Sequence, residues 1–337
     1  MSFINNCSTI IRRSTKDMFN FYLDEKLCYD YFNQEGSLIF STSIIDSPLD
    51  FTTSYFSLDE NDSLYGVYTD NVLKLLEIPK GSSDFIQRNI LTYNYENFNI
   101  VFPYIKKIND DLHIFYYVYN NTATNECALF HHYRHDGVWL ENKIDFINHV
   151  VLDNFTVLWV QHSPIVFYFN LVNGCEEIFS SMFNLNTLTW SRPIQITNSN
   201  KSKIYLSVLK DSMNFYHLTF CENIDNGYAV KYINGYLMDD KLDLGVSTYI
   251  TGPSTCMYPS LIKNDSSLYL MWINYNRLNT SISTDFGKTW SEHIVDEFSI
   301  EEDFTRAKFV SNYKDDLPYN STSLFTTCND VGILGFN

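Results

Sequence analysis

One pattern recurs along this chain at a fixed interval. Phe102-Pro103-Tyr104-Ile105-Lys106-Lys107-Ile108-Asn109-Asp110-Asp111-Leu112 and Tyr258-Pro259-Ser260-Leu261-Ile262-Lys263-Asn264-Asp265-Ser266-Ser267-Leu268 read alike. Each has an aromatic residue before proline, an apolar run, a polar turn and a second apolar run opening on Leu. They stand 156 residues apart (258 − 102), three units of 52. Trp139, Trp190 and Trp290 each open a second kind of segment, at gaps of 51 and 100. Asp239-Asp240-Lys241-Leu242 occupies the skipped slot, with Leu242 where the Trp would stand. A unit of about 50 residues cannot bury an apolar face alone, so neighbours must stack, and four short strands fill it.

The runs themselves are strand-like. Met18 to Leu23, Leu112 to Val118 and Leu268 to Ile273 are short, aromatic and bounded by polar turns, and helical periodicity is nearly absent. Aromatic residues make up 17% of the chain, which favours strands, while only 12 Gly and 8 Pro leave Asn, Asp and Ser to make most turns. The expectation is an all-β fold, a β-propeller of four-stranded blades, with inner strands near 53, 102, 154, 205, 258 and 307. The stretch before residue 50 holds three or four more strands, and 307–337 is too short for a blade. Closure by N- and C-terminal strands in one blade of a single domain, 1–337, gives seven blades, with six as the alternative.

Charge and cysteine narrow the partners. A formal net charge of −17, with no basic stripe, disfavours nucleic acid and anionic membrane. No run reaches membrane-span length, and Met1-Ser2-Phe3-Ile4-Asn5-Asn6 does not read as a secretory signal. Seven scattered cysteines without a CxxC pair read as free thiols. The expected location is therefore cytoplasmic, free or within a larger assembly, with no metal and no cofactor. His131-His132-Tyr133-Arg134-His135 looks like a ligand cluster, but strand alternation turns His132 away from the other two imidazoles.

Ser283-Thr284-Asp285-Phe286-Gly287-Lys288-Thr289-Trp290 matches the pattern S-x-D-x-G-x-T-W at Ser283, Asp285, Gly287, Thr289 and Trp290. On these residues the chain resembles the Asp-box (BNR-repeat) β-propellers of the sialidase-like superfamily. The resemblance implies a structural turn between third and fourth strands, away from any catalytic mouth. For a sialidase it would further imply an arginine triad gripping a carboxylate, a Tyr–Glu nucleophile pair and an acid/base Asp. The aromatic-Arg-Ile/Leu-Pro segment usual near the first blade is missing: Arg12-Arg13 runs into Ser14-Thr15, and Arg192-Pro193 lies inside a repeat segment.

In propellers the ligand mouth is made by loops entering inner strands and by second-to-third strand loops. Candidate site residues on that rule are Arg277, Glu302, Asp303 and Arg306, which combine guanidinium and carboxylate in neighbouring blade regions. The missing arginine segment makes the expected function a non-catalytic propeller that binds a protein partner or itself, leaning away from an enzyme. A lectin-like, glycan-binding propeller and a sialidase-like glycoside hydrolase are the alternatives.

Overall fold

A computed structural model describes residues 7–148, 155–239, 241–264, 266–327 and 332–335, without the side chains of 51 and 124–126. Met1 to Asn6, Asp240, Asp265 and Cys328, used above, lie outside the described residues. The chain divides into two compact units, Met1–Val150 with Thr305–Leu317, and Val151–Phe304 with Pro318–Asn337.

The first unit contains three blades. Blade 1 is β1 (Cys7–Arg12), β2 (Met18–Asp24), β3 (Lys26–Phe32) and β4 (Leu38–Ser43). Blade 2 is β5 (Ser54–Leu58), β6 (Leu64–Thr69), β7 (Val72–Ile78) and β8 (Ile86–Thr92). Blade 3 is β9 (Phe98–Ile108), β10 (Asp111–Asn120), β11 (Ala123–His135) and β12 (Val138–Ile147). The second unit contains three more. Blade 4 is β13 (Thr156–Val160), β14 (Ser163–Val172) and β15 (Cys175–Asn184), with β16 (Thr189–Trp190) and β17 (Ile194–Gln195) both on β15. Blade 5 is β18 (Lys203–Lys210), β19 (Phe215–Ile224), β20 (Gly227–Leu237) and β21 (Leu242–Tyr249). Blade 6 is β22 (Met257–Asn264), β23 (Ser267–Asn274), β24 (Arg277–Ser283) and β25 (Ile294–Val295). Each is an antiparallel meander.

The β-propeller therefore has six blades among the described residues, and the expectation of seven is corrected. β1–β4 make a complete blade by themselves, and β26 (Phe304–Ser311) lies parallel to β1 in that same sheet instead of opening another. β27 (Tyr319–Ser321) pairs with β22.

Burial explains the apolar runs. Second strands such as β6 and β14 are covered on both faces, so they read as continuous apolar stretches. Fourth strands such as β8 and β21 are largely exposed and polar. Blades 1 and 2 pack through Phe19, Phe21, Phe56 and Leu76, with Phe21 and Phe56 stacked at 3.9 Å. Blades 4 and 5 pack through Phe167, Phe169, Leu218 and Phe220. Blades 5 and 6 pack through Val230, Tyr232, Leu270 and Trp272.

The Ser283–Trp290 turn is built on hydrogen bonds. Asp285 Oδ1 accepts from Ser283 Oγ at 2.8 Å and from the Thr289 amide at 2.9 Å, and Oδ2 accepts from Thr289 Oγ1 at 2.6 Å. These donors, Thr289 foremost, hold the carboxyl down at about 2. Trp290 meets Tyr232 edge-on at 4.9 Å. Gly287, at φ +80°, leaves room for the Tyr232 hydroxyl, which a Cβ would meet at 2.1 Å. The strand after this turn has a twin in blade 4: Ser281 donates to the Ser291 carbonyl and Ser181 to the Ser191 carbonyl, each at 2.8 Å.

Three first strands share an irregularity. Phe102, Tyr205 and Tyr258 have φ of 51°, 61° and 49°. At each of them the register slips, so two residues of the first strand oppose one residue of the second. A left-handed aromatic residue costs on the order of 1–3 kcal/mol and persists only where its surroundings hold it.

Candidate functional site

In each blade the second-to-third strand turn and the start of the first strand lie at one end, here termed the entry end. In blades 4 and 5 this end gathers the most elaborate polar cluster of the second unit. Two tight hairpins set it up. Asn173 and Gly174, at φ 53° and 82°, turn β14 into β15 and deliver Glu176 and Glu177. Asp225 and Asn226, at φ 46° and 71°, turn β19 into β20 and place Glu222 and Lys231 on its two arms. Strand pairing does the rest: Lys203 stands opposite Glu222, and Lys231 opposite Tyr249.

The inner part is closed. Lys203 and Glu222 have no exposed side-chain surface. The Lys203 ammonium donates to Glu177 Oε2 at 2.8 Å, to the Glu176 carbonyl at 2.9 Å and to the Lys201 carbonyl at 2.7 Å, which uses its donors. Glu177 also accepts from the amides of Ser199 and Asn200 at 2.8 and 2.9 Å and from Thr197 Oγ1 at 2.5 Å. The pairing meets the condition for burying charge, opposite charges whose remaining lone pairs and protons are also bonded.

The outer part reaches solvent. Glu222 Oε2 accepts from Ser199 Oγ at 2.6 Å, and its Oε1 accepts from Lys231 Nζ at 2.9 Å and from the Tyr249 hydroxyl. Burial pushes the Glu222 carboxyl up, but Ser199, Tyr249 and Lys231 together hold it below the ordinary value. Tyr249 is 40% exposed. Burial of its hydroxyl end and the bond to Glu222 raise the phenol well above its ordinary range. Two ammonium groups flank the ring: Lys231 Nζ lies 4.8 Å from the centroid and Lys201 Nζ 5.7 Å, and Lys201 donates to the hydroxyl at 3.3 Å. In a chain of charge −17 this is a local cationic rim around an exposed aromatic face.

The candidates from sequence fall elsewhere. Arg277 sits at the β23–β24 turn, exposed, and Glu302 and Asp303 are exposed beyond the one-turn helix Phe298–Glu301. Among the described residues no ion pair joins these three, and Arg306 lies in β26 in the other unit. In blade 3, His131 meets His113 at 3.1 Å inside the sheet packing, while His132 turns to Glu141 at 3.5 Å and Trp139. Among the described residues no group of three or more His, Cys, Asp or Glu could hold a metal. Sequence reasoning missed Glu177, Lys203, Glu222, Lys231 and Tyr249. For Glu177 and Glu222 the available signal was charge inside strands close to the Asn-Gly and Asp-Asn turns; Lys203 and Tyr249 stand beside neither turn.

No protein-family model and no curated protein matches the sequence. Solved structures do. An ulvan lyase with a bound glucuronate–rhamnose-sulfate saccharide is similar over 98% of this chain and 92% of its own, at TM-score 0.62 and 12% identity. The polysaccharide lyase Uly1 is similar over 100% and 91%, at TM-score 0.59 and 8% identity. An α-L-arabinofuranosidase from Fusarium graminearum is similar over 83% and 94%, at TM-score 0.53 and 9% identity. At such identities the likeness shows the fold, a β-propeller. These propellers are enzymes that cleave saccharides, and that overturns the expectation of a non-catalytic interaction module. Among the described residues no helix is long and apolar enough to cross a membrane.

Proposed function

We propose that the chain is a carbohydrate-processing β-propeller that takes an acidic saccharide at the entry end of blade 5 and cleaves its glycosidic bond. The observation that carries this reading is the Tyr249–Glu222 hydrogen bond, half in solvent and flanked by Lys201 and Lys231. The exposed ring offers a face for a pyranose, and the two ammonium groups offer charge to a carboxylate or sulfate. Tyr249 is the nucleophile: its oxygen attacks the anomeric carbon as the glycosidic C–O bond breaks, Glu222 takes the phenol proton, and the departing oxygen takes a proton from solvent. Water then attacks the anomeric carbon and loses a proton to solvent, and the freed Tyr249 oxygen recovers its proton from Glu222. Because the phenol keeps its proton, Tyr249 can attack only with Glu222 accepting that proton through the hydrogen bond between them. Lys203 is a positioning residue that fixes Glu222 from behind. The Tyr–Glu pair is the arrangement that the sialidase resemblance implies, with lysines in place of arginines.

A second reading has its own support. A phenol that keeps its proton suits an acid, and Tyr249 would then give its proton to the leaving C4 oxygen as that bond breaks, its own oxygen taking up the C5 proton of a uronate whose carboxylate is paired with lysine, which leaves the C4–C5 double bond. Incubation with uronate-containing, sulfated and neutral polysaccharides distinguishes the two. Saturated reducing ends indicate hydrolysis. An ultraviolet-absorbing unsaturated uronate indicates elimination. Cleavage of neutral chains only, or of none, overturns the proposal.

A further inference from the structure

The two lysines beside Tyr249 are held differently. Lys231 Nζ lies 2.9 Å from Glu222 Oε1, its side chain only 16% exposed, and it is one of the groups that hold the Glu222 carboxyl down. Its charge is already matched by that carboxylate. Among the described residues Lys201 makes no ion pair, and its ammonium makes one hydrogen bond, the 3.3 Å exposed contact with the Tyr249 hydroxyl. The main chain that carries Lys201, between β17 and β18, is nonetheless fixed. Glu177 Oε1 accepts from the Ser199 and Asn200 amides at 2.8 and 2.9 Å, and Lys203 donates to the Lys201 carbonyl at 2.7 Å. Asn200 makes the left-handed turn, at φ 54°, that its residue type tolerates. The buried Glu177–Lys203 pair thus brings an unmatched ammonium to the rim of Tyr249.

We infer that Lys201, and not Lys231, is the residue that selects an acidic substrate, and that the acidic group it reads belongs to the same sugar that meets Tyr249. The inference rests on the proposed function. Distance carries its second half. An anion oxygen bonded to Lys201 Nζ at about 2.8 Å lies no more than about 6 Å from the phenol oxygen. The carboxylate of a uronate hangs on the ring carbon next to the ring oxygen, as the anomeric carbon stands on its other side, and so fits that radius. A carboxylate on the neighbouring sugar is set off by the glycosidic bond and the width of a ring. Elimination obeys the same geometry, since C5 bears both the proton and the carboxylate.

Cleavage kinetics test this on a polysaccharide that alternates glucuronate with a neutral sugar, and on the same polymer with its carboxyls reduced to hydroxymethyl groups. The native protein should show about tenfold higher kcat/KM on the acidic polymer, the effect of one charged hydrogen bond. Lys201→Ala removes a solvent-facing ammonium and leaves the carbonyl that Lys203 uses. It should abolish the preference through a higher KM on the acidic polymer, and Lys201→Arg should keep it. Lys231→Gln should instead lower kcat on both polymers and keep the preference. The new chain ends report the placement: a reducing-end glucuronate, or an unsaturated uronate at the non-reducing end, puts the charged sugar at Tyr249. A neutral reducing end opposite a saturated uronate overturns the inference alone. So does a Lys201→Ala protein that keeps the preference, a Lys231→Gln protein that loses it with kcat intact, or a native protein that cleaves both polymers alike. A native protein that does not cleave the acidic polymer overturns the proposed function as well.

Discussion

Arg13 and Lys203 are both buried cations, and their surroundings differ in one respect. Arg13 Nε donates to the Asp62 carbonyl at 2.9 Å, Nη1 to Asp17 Oδ2 and the Ser82 carbonyl at 3.2 and 2.7 Å, and Nη2 to the Pro79 carbonyl at 2.9 Å. Its partners are mostly main chain, from blade 1 and from two turns of blade 2, and the guanidinium also covers the Phe19 ring at 4.9 Å. That cluster ties elements together, and it meets solvent through the 4.0 Å contact of Asp62 with the exposed Lys80. Lys203 is as deeply buried, but its cluster continues through Glu222 to Lys231 and a 40%-exposed Tyr249. Burial of charge by itself therefore does not separate a staple from a site. What separates them is whether the network is spent on main-chain carbonyls and a long ion contact or runs through short hydrogen bonds to an exposed aromatic hydroxyl.

The largest expected effect breaks the Arg13 side. Arg13→Ala leaves Asp17 and several carbonyls buried without their donor, and should cost roughly 3–5 kcal/mol in chemical denaturation. Saccharide cleavage by the remaining folded fraction should be unchanged. Arg13→Lys should not rescue it, because one ammonium cannot replace the fork. Tyr249→Phe is the converse. Cleavage should fall by about 10²–10⁴ while stability moves by about 1 kcal/mol or less, since the ring remains and only its hydroxyl goes. Equal losses of stability and activity in both variants would erase the distinction drawn above.

Gly287→Ala sharpens the comparison at a third place, the largely exposed turn at Ser283–Trp290, where Gly287 itself is buried. A Cβ at φ +80° and 2.1 Å from the Tyr232 hydroxyl should cost roughly 2–3 kcal/mol in thermal unfolding, with cleavage intact. The mildest test uses pH. Burial lowers the His113 imidazole to about 3, against 6.5 for the free group. The unfolded chain takes up this proton near pH 6.5 and the folded chain only near pH 3. Stability is therefore full above 6.5 and falls as pH drops toward 3, by roughly 1–2 kcal/mol per such histidine between pH 7 and 5. His113→Phe should flatten that slope in denaturation curves; an unchanged slope would assign it elsewhere.

The periodic part of the fold was legible because it is written locally. First strands were expected near 53, 102, 154, 205 and 258, and they begin at Ser54, Phe98, Thr156, Lys203 and Met257, whereas the one expected near 307 is β26, from Phe304, which joins the sheet of β1 instead of opening a blade. The blade count was not legible, because nothing local in Cys7–Arg12 says that β26 will lie parallel beside it. The exposed Arg277, Glu302 and Asp303 attracted notice as charges in loops. The cluster that forms hides its charges in strands otherwise read as apolar, between Glu177 and Tyr249, 72 residues apart (249 − 177).

Sequence by itself thus determined the repeat, its strand content and the turn at Ser283–Trp290, since alternation, turn residues and short-range hydrogen bonds act within a few positions. Tertiary structure decided the six-blade count and the meeting of Glu177, Lys203, Glu222, Lys231 and Tyr249. Those contacts depend on cross-strand register and on stacking between blades, and such pairings bring together residues whose separation along the chain carries no local signal.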